Sequence, residues 1–323
     1  MFKLAKPFFI KTITPMHAGS GQDLGIVDQP IQRERHTSYP KIEGSSLKGS
    51  IREVFDEKYV EVNDKVKIQL SFGYEKNDNL KVYREADKII FNNSDKKNKS
   101  FAGALGFTDA RILFFPVKSV KGTFAWITCS DVLRKLKKDL KISEINVNLD
   151  NIPNPDNGAF IADSNCKNII SNNDNKFVIL EEYTFEKAEN NFDFGKLDKL
   201  IPETVSKEQI VILSNDDFQD FVNLSTEVIT RTRISPETGT VKQGALFTEE
   251  YLPSETIMYS LAMTTPVFKK NREDLPLKNE NDVMHFFKEI PQIIQIGGNA
   301  TIGKGIVEII KWDNIESGGQ NVW

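Results

Sequence analysis

Arg111-Ile112-Leu113-Phe114-Phe115-Pro116-Val117 is followed by Lys118–Gly122 and then by Thr123-Phe124-Ala125-Trp126-Ile127-Thr128. Two short apolar runs rich in β-branched and aromatic residues, joined by a polar turn, read as an antiparallel hairpin. Directly after it, Ser130 or Asp131 caps a helix through Leu140, apolar at Val132, Leu133, Leu136 and Leu140. Upstream, Lys3–Ile13 reads as a buried strand around Phe8, Phe9 and Ile10. Ser45 or Ser46 starts a helix whose Leu47, Ile51, Val54 and Phe55 share one face. Downstream the spacing predicts strands at Phe177–Phe185, Gln209–Leu213, Glu255–Thr264, Gln292–Ile296 and Gly305–Trp312, with helices at Asp216–Leu224 and Asn281–Glu289. Residues 60–100 show little periodicity, and the polar run 92–100 reads as a mobile surface insertion. Helices and strands alternate, yet hairpins are present, so the expected class is α+β with a largely antiparallel sheet.

The chain has 323 residues, of which 39 % are hydrophobic and 27 % charged. That is the composition of a folded globular protein. No apolar run approaches the ~20 residues of a membrane-spanning helix, and the N-terminus lacks the apolar stretch of a signal peptide. Two cysteines and three scattered histidines supply neither a disulfide framework nor a zinc site. The expectation is a cytoplasmic protein with no membrane partner. The formal net charge of −4 hides a partition: residues 1–142 carry +9, residues 143–230 carry −11 and residues 231–323 carry −2. A basic half beside an acidic middle points to a charged partner, or to two solvated surfaces of opposite sign.

Three glycine-containing stretches invite a phosphate reading. Gly298-Asn299-Ala300-Thr301-Ile302-Gly303-Lys304-Gly305 nearly matches a P-loop, but Gly305 stands where the metal-binding hydroxyl belongs and a β-type run follows. It reads as a tight connection or a phosphate contact. Gly19-Ser20-Gly21 lacks the spacing and the following helix of a dinucleotide fingerprint. Yet His17, Gly19, Ser20, Gly21 and Asp28 share one loop system, where an imidazole, exposed amides and a carboxylate can meet a phosphodiester. Gly44-Ser45-Ser46-Leu47-Lys48-Gly49 opens a helix with free amides and a lysine one turn in, beside Lys41, Arg33, Arg35 and Arg52. This is either a capped amphipathic helix or a phosphate-binding patch.

Thr14–Gly21, Ile26–Glu34 and Tyr39–Gly49, with Phe107–Arg111, Phe115–Thr128, Thr238–Pro253 and Gly297–Gly305, together resemble the RAMP superfamily of CRISPR-associated RNA-binding proteins. Within it they resemble the repeated backbone subunit of the type III-B (Cmr) effector complex. Gln29 departs from the apolar residue expected beside Asp28. The resemblance implies one elaborated domain over residues 1–323: a ferredoxin-like, RRM-like palm with insertions at about 60–100 and 143–200 and a projecting β-hairpin thumb at about 231–253. It implies several copies stacked along one CRISPR RNA, other Cmr complex subunits as partners, and complementary target RNA cut at regular intervals. Ile234, Val241 and Leu246 would wedge between bases. Asp28 matches the position of the cleaving aspartate, as ligand of a divalent ion (Mg²⁺ or Mn²⁺) or as general base. His17, Glu250 and Tyr251 are further catalytic candidates. Lys48, Ser45, Ser46, Arg33, Lys41, Gly19, Arg231, Arg233 and Lys304 would hold RNA. A non-catalytic scaffold and a ribonuclease that processes CRISPR RNA are the alternatives within the superfamily.

Overall fold

Phe8 and Phe9 point to opposite sides of one strand, and both are buried, so that strand must be covered on both faces. The structure, a computed structural model, describes residues 2–22, 25–74, 80–91, 101–155, 159–188, 192–198, 200–268 and 274–312. The chain opens with β1 (Leu4–Thr12), β2 (Lys41–Ile42) and α1 (Gly44–Lys58). Helices α2 (Val62–Phe72) and α3 (Lys81–Ile90) lead to β3 (Leu105–Phe107), β4 (Ala110–Lys118), β5 (Phe124–Cys129) and α4 (Ser130–Ile142). The acidic middle holds β6 (Ile161–Ala162), β7 (Ile170–Asn172), β8 (Asn175–Leu180), β9 (Tyr183–Glu186), β10 (Ile210–Leu213) and α5 (Asn215–Leu224). Then come β11 (Glu227–Ile234), β12 (Val241–Tyr251), β13 (Ile257–Thr264), α6 (Glu280–Phe287), β14 (Ile293–Gln295) and β15 (Ile306–Lys311).

The main sheet runs β14-β15-β1-β13-β4-β5-β10-β6, with β2 on β4 and β3 on β13. The sheet is mixed: β10 lies parallel to β5, and the other pairs of described strands are antiparallel. Helices α1 and α6 cover one face, where Phe8 meets Phe107 and Phe287 edge-on and Phe55 packs on Phe286. On the other face Phe9 stacks against Trp312. The hairpin 110–128 and the helix after it stand where the pattern places them.

Two readings differ. Residues 62–72 and 81–90 are helical, although their pattern looked irregular. Helix α2 is buried on most of its surface, including Lys65, which pairs with Asp56, and such a helix shows no polar stripe. The run expected as one strand at 177–185 is a hairpin, β8–β9, turning at Glu181 with φ +50°. A glutamate in the left-handed region gives no sequence cue for a turn. The polar run 92–100 lies outside the described residues. Truncating Phe8 to alanine should cost about 3–5 kcal/mol of stability by the cavity it leaves. A loss under 1 kcal/mol in denaturant unfolding would contradict its placement at the sheet–helix contact.

Candidate functional site

Strands β11 and β12 form a two-stranded sheet of their own. With a rise of ~3.3 Å per residue, an eight-residue strand extends roughly 26 Å. The hairpin begins at Glu227, four residues before the expected thumb, and turns through 235–240, where Gly239 has φ +68°. Ile234 and Val241 are cross-strand partners near the tip, and Leu246 faces Thr232. All three apolar side chains are about half exposed or more.

The root of the hairpin is fastened along the free edge of β12. Gln29 pairs with Glu249 and Met16 with Leu252, which brings the 16–20 and 28–33 segments alongside. Alternation along β12 then separates two faces. Thr248 and Glu250 lie on one face, Glu249 and Tyr251 on the other.

Asp28 meets the Thr248 side. Its Oδ2 accepts from the Thr248 amide at 2.7 Å and from the Thr248 hydroxyl at 2.9 Å. The Thr248 amide and then its hydroxyl hold the Asp28 carboxyl below its usual range. The side chain is exposed, and Oδ1 has no protein partner among the described residues.

His17 meets the Tyr251 side, its ring centroid 5.6 Å from that of Tyr251. It is 8 % exposed, and its Nδ1 is 2.7 Å from the Glu250 carbonyl oxygen. A carbonyl only accepts, so in the neutral imidazole Nδ1 carries the proton and Nε2 the lone pair. A Cβ on Gly19 would lie 2.7 Å from Nε2, so the glycine leaves that nitrogen room. Asp28 and His17 therefore flank β12 without a hydrogen bond between them.

Tyr251 donates its hydroxyl to Glu249 at 2.7 Å and accepts from Asn299 at 3.0 Å and from Arg231. Burial, and then the Glu249 hydrogen bond, push the phenol up. Lys304 stands 4.9 Å from the centre of its ring. Glu249 is also paired with Arg231. Burial raises its carboxyl, but the Tyr251 and Asn299 hydrogen bonds and the Arg231 charge outweigh that, so it is held low. Glu249 and Asn299 belong to this cluster and escaped the sequence reading. Only the period-2 alternation of β12 distinguishes Glu249 from Glu250.

Glu250 is internally committed. Its carboxylate accepts from Arg33 at 2.5 Å, Thr226 at 2.8 Å and the Ile31 amide at 3.0 Å. Arg33 also donates to the carbonyls of Ser38 and Val222 and to Asn223. Both residues are structural fasteners here rather than open catalytic or RNA-facing groups. The α1 patch is likewise satisfied from within. Asp109 accepts from the Gly44 amide at 2.9 Å and pairs with Lys41 at 2.9 Å, so an internal carboxylate fills the place foreseen for a phosphate. Lys48 donates inward to the Leu105 carbonyl at 2.9 Å, with its pKa lowered by burial and then by Arg52. Ser46 accepts from Gln32, while Ser45 is exposed. Arg233 is exposed, with no ion-pair partner among the described residues.

Glu181, Glu182, Asp217 and Asp220 surround a cavity of about 400 Å³ floored by Tyr183, Phe185 and Phe221, reaching Thr226 beside the hairpin root. None of the four pairs with a cation among the described residues. Four such carboxylates make this surface electrostatically unfavourable for phosphate.

The sequence profile of the RAMP superfamily matches residues 9–308. The chain belongs to the RAMP superfamily. It is 39 % identical to the CRISPR system Cmr endoribonuclease Cmr4 of Pyrococcus furiosus over 318 residues, covering 95 % of this chain and 96 % of that protein. The crystal structure of oligomeric Cmr4 from the same organism is 31 % identical, covering 96 % of this chain and 98 % of that one, with a TM-score of 0.65. A chain of the type III-B Cmr-beta complex bound to cognate target RNA shares the fold. It has a TM-score of 0.68 at 24 % identity, over 97 % of this chain and 99 % of that one. The described helices include none long and apolar enough to cross a membrane.

Replacing Thr248 by valine removes one of the two donors to Asp28. The Asp28 carboxyl should then titrate closer to its ordinary range in a carboxyl-carbon NMR titration. An unmoved titration would mean that Thr248 does not set its charge.

Proposed function

We propose that the chain is the RNA-binding backbone subunit of a type III-B CRISPR effector complex and that it cleaves complementary target RNA beside Asp28. The observation that carries this is an exposed carboxylate, fixed on one oxygen by Thr248 and open on the other, at the root of a hairpin with apolar side chains. The strand order β15-β1-β13-β4, with α1 after β1 and α6 after β13 on one face, supports a ferredoxin-like, RRM-like palm as the core. The work would be done in the cytoplasm, with further copies of the chain, other Cmr subunits, CRISPR RNA and target RNA as partners.

In this reading Ile234, Val241 and Leu246 unstack the RNA, which frees one linkage from helical geometry. The ribose 2′-hydroxyl attacks the adjacent phosphorus, the bond to the 5′-oxygen breaks, and the products are a 2′,3′-cyclic phosphate and a 5′-hydroxyl. The 2′ proton is lost and the leaving 5′-oxygen gains one. A carboxylate held below its ordinary range is a weak base at neutral pH but a ready partner for cations. That favours Asp28 as ligand over Asp28 as general base. Among the described residues no three His, Cys, Asp or Glu side chains gather to hold a metal. Asp28 alone suits a hard divalent ion shared with RNA phosphates, as Mg²⁺ is commonly held. Such an ion would offset phosphate charge as the new bond forms. His17, with Nε2 bearing the lone pair, is placed to accept or relay a proton. Tyr251 and Glu250, their polar atoms engaged, hold the site. RNA binding falls to Arg233, Lys304, Arg231, Ser45 and the Gly19 loop, with Lys48, Lys41 and Arg33 supporting the fold beneath it.

In the reconstituted complex with complementary RNA and Mg²⁺, Asp28→Asn should abolish regularly spaced cuts while assembly and target binding persist, and chelation should stop the wild type. Cuts that survive in the variant contradict the assignment. A wild type that never cuts favours the scaffold alternative, and repeat-RNA cleavage by the isolated protein that is lost in His17→Ala favours the processing ribonuclease. Lys304→Glu should weaken guide binding and reduce the slope of its salt dependence. Unchanged binding across salt removes Lys304 from the RNA surface.

A further inference from the structure

We infer that Asn299 is a positioning residue that ties the glycine loop to the hairpin root and thereby fixes the His17 imidazole. His17 is gripped twice. Its ring nitrogen Nδ1 donates to the Glu250 carbonyl on β12, and its own carbonyl accepts from the Gly298 amide at 2.9 Å. The loop lies flat against it: Gly297 has φ +85°, and a Cβ there would stand 2.3 Å from the His17 carbonyl oxygen. Asn299, directly after Gly298, joins the two grips. Asn299 Nδ2 donates to Glu249 Oε1 and to the Tyr251 hydroxyl, both at 3.0 Å. Its amide orientation follows from the partners, since a carboxylate only accepts and the Tyr251 proton is engaged by the other Glu249 oxygen.

Asparagine satisfies two demands at once. The backbone sits in the left-handed region, φ +66° and ψ +29°, which asparagine tolerates better than most side chains. The same residue must supply an N–H to a carboxylate. Glycine meets the first demand without the second. Aspartate keeps the shape but sets a second negative charge against Glu249. The near P-loop match of residues 298–305 therefore has a different physical content here. Its asparagine links the loop that backs His17 to the Glu249–Tyr251–Arg231 cluster.

This inference rests on the proposed cleavage role only for its effect on activity, and its first test does not use activity. The chain has three histidines, so imidazole ¹⁵N signals of the full chain can be assigned by single replacements. Asn299→Gly keeps the backbone conformation and removes the donor. It should shift the His17 signals away from a single Nδ1–H tautomer and leave His36 and His285 unmoved. Unchanged His17 signals overturn the inference.

The second test is cleavage in the reconstituted complex. Both Asn299→Gly and Asn299→Asp should load guide RNA normally and cut about tenfold more slowly at neutral pH. The Asn299→Asp defect belongs to the ionised aspartate. It should shrink, relative to wild type, as pH falls and a protonated carboxyl can donate to Glu249, while the Asn299→Gly defect should not. Asn299→Asp behaving as wild type at every pH overturns the inference, as does loss of guide loading in parallel with activity. If His17 signals move in Asn299→Gly but Asp28→Asn still cuts, the cleavage assignment fails and the positioning role stands.

Discussion

A two-stranded hairpin standing alone in water is marginal at best, so everything this hairpin does depends on how its root is held. The holding group is Glu250, buried to 5 % exposure. Its carboxylate gathers the Arg33 guanidinium, the Thr226 hydroxyl and the Ile31 amide, its N–H donates to the Gln29 carbonyl, and its own carbonyl orients His17. One residue thus joins β12, the residue preceding β11, the Asp28 segment and, through Arg33, the end of α5. Removing one partner of such a buried pair leaves a charge without compensation, at a cost of about 3–5 kcal/mol. The adjacent Glu249 faces the other way and serves the Tyr251 cluster. Two neighbouring glutamates thus do separate tasks because a strand alternates.

The same root separates charge. One neighbour is the acidic, aromatic-floored cavity around Asp217 and Asp220, which turns phosphate away. The other carries Lys304 and Arg231 against Tyr251, with Arg233 further out along β11. The net charge of −4 averages these surfaces and describes neither. An acidic total is compatible with RNA binding when the cations stand on one element and the carboxylates on another.

Much was legible in local sequence. The hairpin 110–128, the apolar face of α1, the Asp28 loop and the turn of the projecting hairpin follow from short-range chemistry that a linear reading captures, whereas Ser45 and Ser46 lie inside α1, whose N-cap is Glu43 with no side-chain cap. What escaped depends on partners far along the chain. The α1 N-terminus looked open because Asp109, which fills it, comes more than sixty residues later, and Lys41 is paired both with that Asp109 and with its near neighbour Glu43. Arg33 looked like an RNA ligand because Glu250 is more than two hundred residues away. Glu249 was passed over for Glu250 because strand phase is set by pairing, and Asn299, in a turn, because its partners lie about fifty residues earlier on β12. Helix α2, buried nearly all round, lacks the stripe that would have revealed it.

In the proposed function, the cut linkage of the target passes the root of the hairpin beside Asp28. Both cysteines are buried, so Asp28→Cys offers one accessible thiol for a tethered iron chelate in the assembled complex. Hydroxyl-radical scission of bound target RNA should centre on the linkages that the wild-type complex cuts and repeat at the same interval. Scission centred elsewhere, or spread evenly along the target, would contradict the account.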